Sequence, residues 1–215
     1  MSKYVVVDFE MCDVPKGAVR EHYNYGTEII EIGAVLLDES LNIVDNFKSY
    51  VAPQYGYINN RICQLTKISF QDVAGAPCFK DAMDEFLAWV PEDATLVSWS
   101  ENDEIQVKYE LENKNLIIPQ LDRFFGNWLD CQKTFAEKMS TDKNYNLTEA
   151  LRLTGIDYED GEHDALVDAR NTALLFAKME REPELQLSHY YTEQCSDHLT
   201  FNPFADLFAQ LGYAV

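Results

Sequence analysis

Lys3-Tyr-Val-Val-Val-Asp-Phe-Glu10 is the stretch on which the fold turns. Its β-branched and aromatic residues favour extended backbone, so the run reads as a strand. Side chains two apart on a strand share a face: Asp8 and Glu10 project together, while Phe9 points the other way, into a core. Two neighbouring carboxylates repel each other, and a cation or strong hydrogen-bond donors are needed to keep both ionised. Hard oxygen ligands of this kind suit Mg2+ or Mn2+. Taken alone, the pair is matched equally well by Asp8 capping a turn and Glu10 facing solvent.

Two further stretches give the pair company. Asp93-Ala-Thr-Leu-Val-Ser-Trp-Ser100 follows Pro91 and leads into Glu101-Asn-Asp-Glu104, the pattern of a buried strand feeding a helix. Asp103 falls at that handover, and functional groups of open α/β sheets gather at strand ends. Helix N-termini also favour carboxylates for their own electrostatic reasons, which covers Glu101, Asp103 and Glu104 alike. Asp103 is preferred, with Glu104 its rival if the register slips by one. The last stretch runs from Gly161 to Phe176, with Leu166, Ala169, Ala173 and Phe176 at helical spacing. His163 and Asp168 are five apart, about 140° around a regular helix. Both serve one site only if His163 lies in the lead-in, with Asp164 as N-cap. A single histidine near a helix start is ordinarily a surface or capping residue, so its weight comes from the other two stretches.

In order, Asp8-Phe-Glu10, Asp103 in Ser98-Trp-Ser-Glu-Asn-Asp103, and His163-Asp-Ala-Leu-Val-Asp168 resemble the three motifs of the DEDDh 3′-to-5′ exonucleases. That group includes ribonuclease T, oligoribonuclease and the polymerase III epsilon proofreading subunit. Trp99 in the middle motif, and Glu28-Ile-Ile-Glu-Ile-Gly-Ala-Val-Leu36 after the first, are most similar to the Eri/KapD-like branch. The resemblance covers roughly residues 3 to 180 and implies an α/β, ribonuclease H-like mixed five-stranded sheet flanked by helices. It further implies that Asp8, Glu10, Asp103 and Asp168 bind two divalent metal ions, Mg2+ or Mn2+, and that His163 deprotonates the attacking water. Two such ions about 3.5 to 4 Å apart stabilise both the entering and the leaving oxygen of an in-line displacement. A histidine is suited to taking a proton near neutral pH.

The expected reaction removes nucleoside 5′-monophosphates from the 3′ end of a short or single-stranded nucleic acid, with RNA the somewhat more expected substrate and no motif that fixes the choice between RNA and DNA. Phe9, Met11, Cys12 and Trp99 flank the acidic positions and are the expected substrate contacts, Phe9 despite its core-facing position. Many family members carry Thr near the terminal sugar where this chain has Met11-Cys12, and a thiol is a poor hydrogen-bond donor.

Composition bounds the remainder. Thirty-seven acidic against 17 basic residues give a formal net charge of −20, a poor surface for gripping a long polyanion. Bound cations reverse the local field at the site itself, so short substrates held at their 3′ nucleotides fit better than long duplexes. Five cysteines without Cys-x-x-Cys spacing read as reduced thiols. No signal peptide or membrane span is expected, and a cytoplasmic location is.

One exonuclease domain is expected over 1–181, with an acidic, aromatic tail over 182–215. A short helix opening at Asn202-Pro203 in that tail packs on the core or docks a protein partner or second copy. Strands are predicted near 3–10, 29–38, 42–51, 94–99 and 126–130, with Asp38–Asn42 as a turn. Helices are predicted near 78–90, 102–113, 131–139, 147–154 and 164–180. The long connection over 12–27 carries Lys16, Arg20, His22, Tyr23 and Tyr25 and reads as a substrate-contacting flap. Two other functions stand beside a free-standing exonuclease: a proofreading or processing subunit recruited to a polymerase or regulatory complex, and a non-catalytic regulatory protein on the same scaffold.

Overall fold

A computed structural model describes residues 3–17, 21–158, 161 and 163–188. Its centre is a five-stranded sheet in the order β3-β2-β1-β4-β5. β1 (Lys3–Asp13), β2 (Thr27–Leu37) and β3 (Ile43–Tyr50) form an antiparallel meander, whereas β4 (Ala94–Ser98) and β5 (Leu129–Asp130) run parallel to β1. The sheet is therefore mixed, as expected. Asp38 closes the β2–β3 turn by accepting the N–H groups of Ser40 and Asn42.

Strand alternation sorts the two faces. Odd positions of β1 (Val5, Val7, Phe9) join Ile32 and Ala34 of β2 against Phe79, Met83 and Phe86 of α3 (Phe79–Trp89) and Val107 of α4 (Asn102–Asn113). Val6, Val35, Leu37 and Val97 lie on the other face, under α6 (Leu147–Thr154) and α7 (Ala165–Arg181). Burying such side chains contributes about 1.5–3 kcal/mol each, which is what holds the layers together. The register slips between Glu10 and Met11, leaving Ile30 as an extra residue on β2. Beyond this bulge Cys12 and Ile30 turn into a small third cluster with Ile62, Ile68 and Val73.

Several boundaries differ from expectation for local reasons. α1 (Asn60–Thr66) and α2 (Phe70–Val73) were not predicted, being too short to show a period. Their caps were visible in the sequence: Asn59 accepts from the Ile62 N–H, and the N–H and hydroxyl of Ser69 both donate to Asp72. β5 is two residues rather than 126–130, because Gly126 adopts φ +83° in a turn and its N–H donates to Glu104. α5 (Cys131–Lys138) follows at once, capped by Asp130. α6 opens on Asn146 and stops at Gly155 (φ +71°) as expected, although the Glu149 carboxylate pairs with Lys143.

Among the described residues no helix is long and apolar enough to cross a membrane, and Cys12, Cys63, Cys78 and Cys131 are free thiols. The expected C-terminal helix, together with Arg20, His189, Cys195 and His198, lies outside the described residues.

Candidate active site

Asp8 and Glu10 lie on the face of β1 that α7 covers, directly across from Gly33 and Glu31 of β2. Gly33 is what lets the helix start so close to the sheet: a Cβ there would stand 2.2 Å from the main-chain carbon of Ala165. Asp164 caps α7 by accepting the N–H groups of Leu166 and Val167. His163 sits just outside the helix, as its spacing required, in the left-handed region at φ +66°. For a non-glycine residue this costs on the order of 1–3 kcal/mol, a strain that surrounding contacts must fix in place. Its main-chain N–H donates to Asp168 Oδ2 at 3.0 Å, and the Tyr158 hydroxyl donates to Asp168 Oδ1 at 2.8 Å.

From the opposite direction, α4 delivers Asp103 in its first turn. β4 parts from β1 after Val6, and Asp103 Oδ1 accepts the N–H of Phe9 at 3.3 Å, linking positions 94 residues apart. Its rival Glu104 turns away to Lys108 and the Gly126 N–H. The structure thus brings Asp8, Glu10, Asp103, His163 and Asp168 to one end of the sheet. Ligand atoms of Glu10, His163 and Asp168 lie within 4.8 Å of one another, whereas Asp8 and Asp103 join this tighter group through its shared field.

That field is strongly negative. Burial, then the charges of Asp103, Glu10, Asp168 and Glu31, push Asp8 well above the usual carboxylate range. Burial, then Asp168, Glu31, Asp103 and Asp164, push Glu10 up to about 8. Asp103 is raised to about 7, chiefly by burial, with the Phe9 N–H working against the shift. Lys48 offsets part of this charge directly, 3.0 Å from Glu31 and 2.6 Å from Asp164. A cluster of hard oxygen donors that cannot all ionise comfortably fits a divalent cation, and these residues fit one chemically.

The expected substrate contacts divide. Phe9 (4% exposed) and Cys12 (0%) are core residues, so their side chains do not present a binding surface, which corrects that part of the expectation. The Cys12 thiol is pushed up to about 12, first by burial and then by Glu28 and Glu110. Met11 and Trp99 are half-buried; Trp99 packs near Phe135 with its indole N–H buried and without a partner among the described residues.

The expected flap is shorter than predicted, because β1 extends to Asp13 and β2 starts at Thr27. Tyr23 is fully buried and donates to the Thr27 carbonyl, and Tyr25 stacks on Tyr109 at 3.9 Å. Neither ring matches the free stacking surface that the sequence suggested, while Lys16 and His22 are exposed.

Glu31, Lys48 and Tyr158 also reach this end of the sheet, and none is among the expected site residues. Glu31 had a signal: a charged residue inside an otherwise apolar strand has to find a partner. Lys48 and Tyr158 had none, since only the fold brings them to the site.

Comparison with known proteins gives a consistent result. The family model described as RNase_T, Exonuclease, matches residues 5–176. ERI1 exoribonuclease 2 of Danio rerio is 31% identical over 199 residues, covering 81% of this chain and 34% of that protein. ERI1 exoribonuclease 2 of Homo sapiens is 30% identical over 203 residues, covering 83% and 28% respectively. The chain thus spans about a third of the length of these curated relatives. Among solved structures, the nuclease domain of 3′hExo, a DEDDh family member bound to rAMP, shares the fold with a TM-score of 0.73. It is 22% identical, covering 87% of this chain and 96% of that one.

Proposed function

The chain belongs to the RNase_T exonuclease family, and on that premise we propose that it is a metal-dependent 3′-to-5′ exonuclease. Its substrate in this reading is the 3′ end of short or single-stranded nucleic acid, RNA in preference to DNA, and its products are nucleoside 5′-monophosphates. The observation that carries the proposal is the meeting of Glu10, His163 and Asp168 within 4.8 Å, with Asp8 and Asp103 in the same electrostatic field. A chain without chemistry to perform has little physical reason to bury so many like charges together. The preference for RNA draws on the exoribonuclease relatives.

In this mechanism Asp8, Glu10, Asp103 and Asp168 would hold two divalent ions, Mg2+ or Mn2+. Bound there, such ions supply charge neutralisation for the attacking and leaving oxygens of the phosphodiester. Asp168 is held by the Tyr158 hydroxyl and the His163 N–H, so its oxygens keep a fixed direction. The imidazole of His163 accepts the proton of the attacking water. Phe9 and Cys12 pack beneath the first motif, which leaves Met11 and Trp99 as the side chains of that set to meet the terminal nucleotide.

Matched RNA and DNA oligonucleotides, incubated with Mg2+, Mn2+ or chelator and followed by chromatography of the released product, test this reading. Release of 5′-monophosphates only with a divalent ion, and faster from RNA, is expected. Release of 3′-monophosphates, or cleavage in chelator, contradicts it.

A further inference from the structure

Glu31 enters the site described so far through its charge alone, yet its side chain is only 1% exposed in an apolar strand and stands across from Glu10. Its two oxygens are used differently. Oε2 accepts the N–H of Ala165, the first residue of α7, at 3.0 Å, and Oε1 lies 3.0 Å from Lys48 Nζ. Lys48 is on β3 directly across from Gly33, so it reaches over the space where β2 has no side chain. From there its amine also lies 2.6 Å from Asp164 Oδ2, while Asp164 Oδ1 caps the helix. Two strands therefore grip residues 164 and 165 through one ion-pair bridge and one main-chain bond. The neighbouring residue His163 is in a strained left-handed conformation, whose position is set by what holds the chain on either side.

We propose that Glu31 and Lys48 are positioning residues: their pair clamps the first turn of α7 onto β2 and β3 and so sets where His163 and Asp168 stand against Glu10. Charge supports this division. Lys48 pairs with Glu31 and Asp164 within the protein, so neither carboxylate adds its full charge to the acidic cluster of Asp8, Glu10 and Asp103. The inference rests on the proposed function for its kinetic consequence, but not for its structural one.

Four full-length variants test it, Glu31→Ala, Glu31→Gln, Lys48→Met and Lys48→Arg, read by hydrogen exchange in chelator and by kcat and KM on a short oligonucleotide. In Glu31→Ala and Lys48→Met, exchange over 163–168 is expected to rise about tenfold while β1 and α3 keep their protection. Their kcat falls about tenfold or more with KM within about twofold, as for groups that act only on the reacting arrangement. Lys48→Arg, which keeps the charge, restores both readings, and Glu31→Gln, which keeps an acceptor for Ala165, falls between. If Glu31→Ala does not fold, Lys48→Met and Glu31→Gln carry the same readings. Unchanged exchange at 163–168, a rise spread equally over β1 and α3, or a change in KM alone overturns the clamp. If the unaltered protein cleaves no oligonucleotide, the proposed function falls, and the exchange result still decides the clamp.

Discussion

The main-chain N–H of His163 donates to the carboxylate of Asp168 at 3.0 Å, so the proposed base and the last acidic residue are tied by backbone rather than by imidazole. The imidazole is therefore separable from the scaffold that carries it.

His163→Ala is accordingly expected to lower kcat by about 10²- to 10⁴-fold, the usual range for loss of a general base. Asp168 keeps its main-chain partner, so divalent-ion binding and the thermal midpoint stay near those of the unaltered protein. Steady-state kinetics with a Mn2+ titration read both, and a variant that loses ion binding along with activity contradicts the assignment.

The raised carboxylates predict a falling pH–stability profile without metal. Glu10 stands at about 8 and Asp103 at about 7, above the ordinary values of 4.5 and 3.8. Between those limits the folded state holds protons that the unfolded chain has released, so stability falls as pH rises through this window. In chelator the thermal midpoint is expected to be about 5 °C or more lower at pH 8 than at pH 5.5. Mn2+ flattens this slope and Glu10→Gln reduces it. A midpoint that rises over the same window contradicts the electrostatic account.

Gly33→Ala tests the contact that seats α7. A methyl group 2.2 Å from the Ala165 main chain forces the helix start off β2, at a cost of about 1–3 kcal/mol typical of overpacking. Activity falls further than stability does, because His163 and Asp168 move with the helix. Urea denaturation and kcat measured together read the difference, and full activity in a destabilised variant contradicts it.

How far the sequence carried is clear from particular residues. The strand expected over 3–10 was legible because β-branched runs and alternation depend on neighbours in sequence, whereas its continuation to Asp13 was not; the lead-in position of His163 was legible too. The Asp103–Phe9 bond was not legible, since 94 residues separate its ends and nothing local encodes the pairing. The same holds for Lys114, whose amine lies 2.6 Å from both Glu28 and Glu110 within the core. Glu28 belongs to the stretch that resembles the family, but its work is to accept the N–H groups of Gln54 and Tyr55 and hold the segment after β3. Residue type suggests surface chemistry for Cys12 and Tyr23, and burial overrides both.

Lys114→Met leaves the buried Glu28 and Glu110 without their shared cation. A loss of about 3–5 kcal/mol is expected, as when one partner of a buried pair is removed. The urea midpoint measures it, and a change under about 1 kcal/mol contradicts the network's role.

The strongly acidic surface predicts weak dependence of substrate binding on salt. Each phosphate neutralised on a single strand contributes a slope of about −0.7 in log K against log salt, so a total shallower than about −2 is expected. Fluorescence anisotropy with an inactive Glu10→Gln variant gives the slope, and a steep one indicates a basic groove that this account lacks.

The most direct measurement follows a 5′-labelled single-stranded RNA incubated with Mn2+ and either the unaltered protein or Asp168→Asn. The account predicts a ladder shortening stepwise from the 3′ end with the unaltered protein, abolished by chelator and by the substitution. Internal cuts, shortening that persists in chelator, or an undiminished ladder from Asp168→Asn contradicts it.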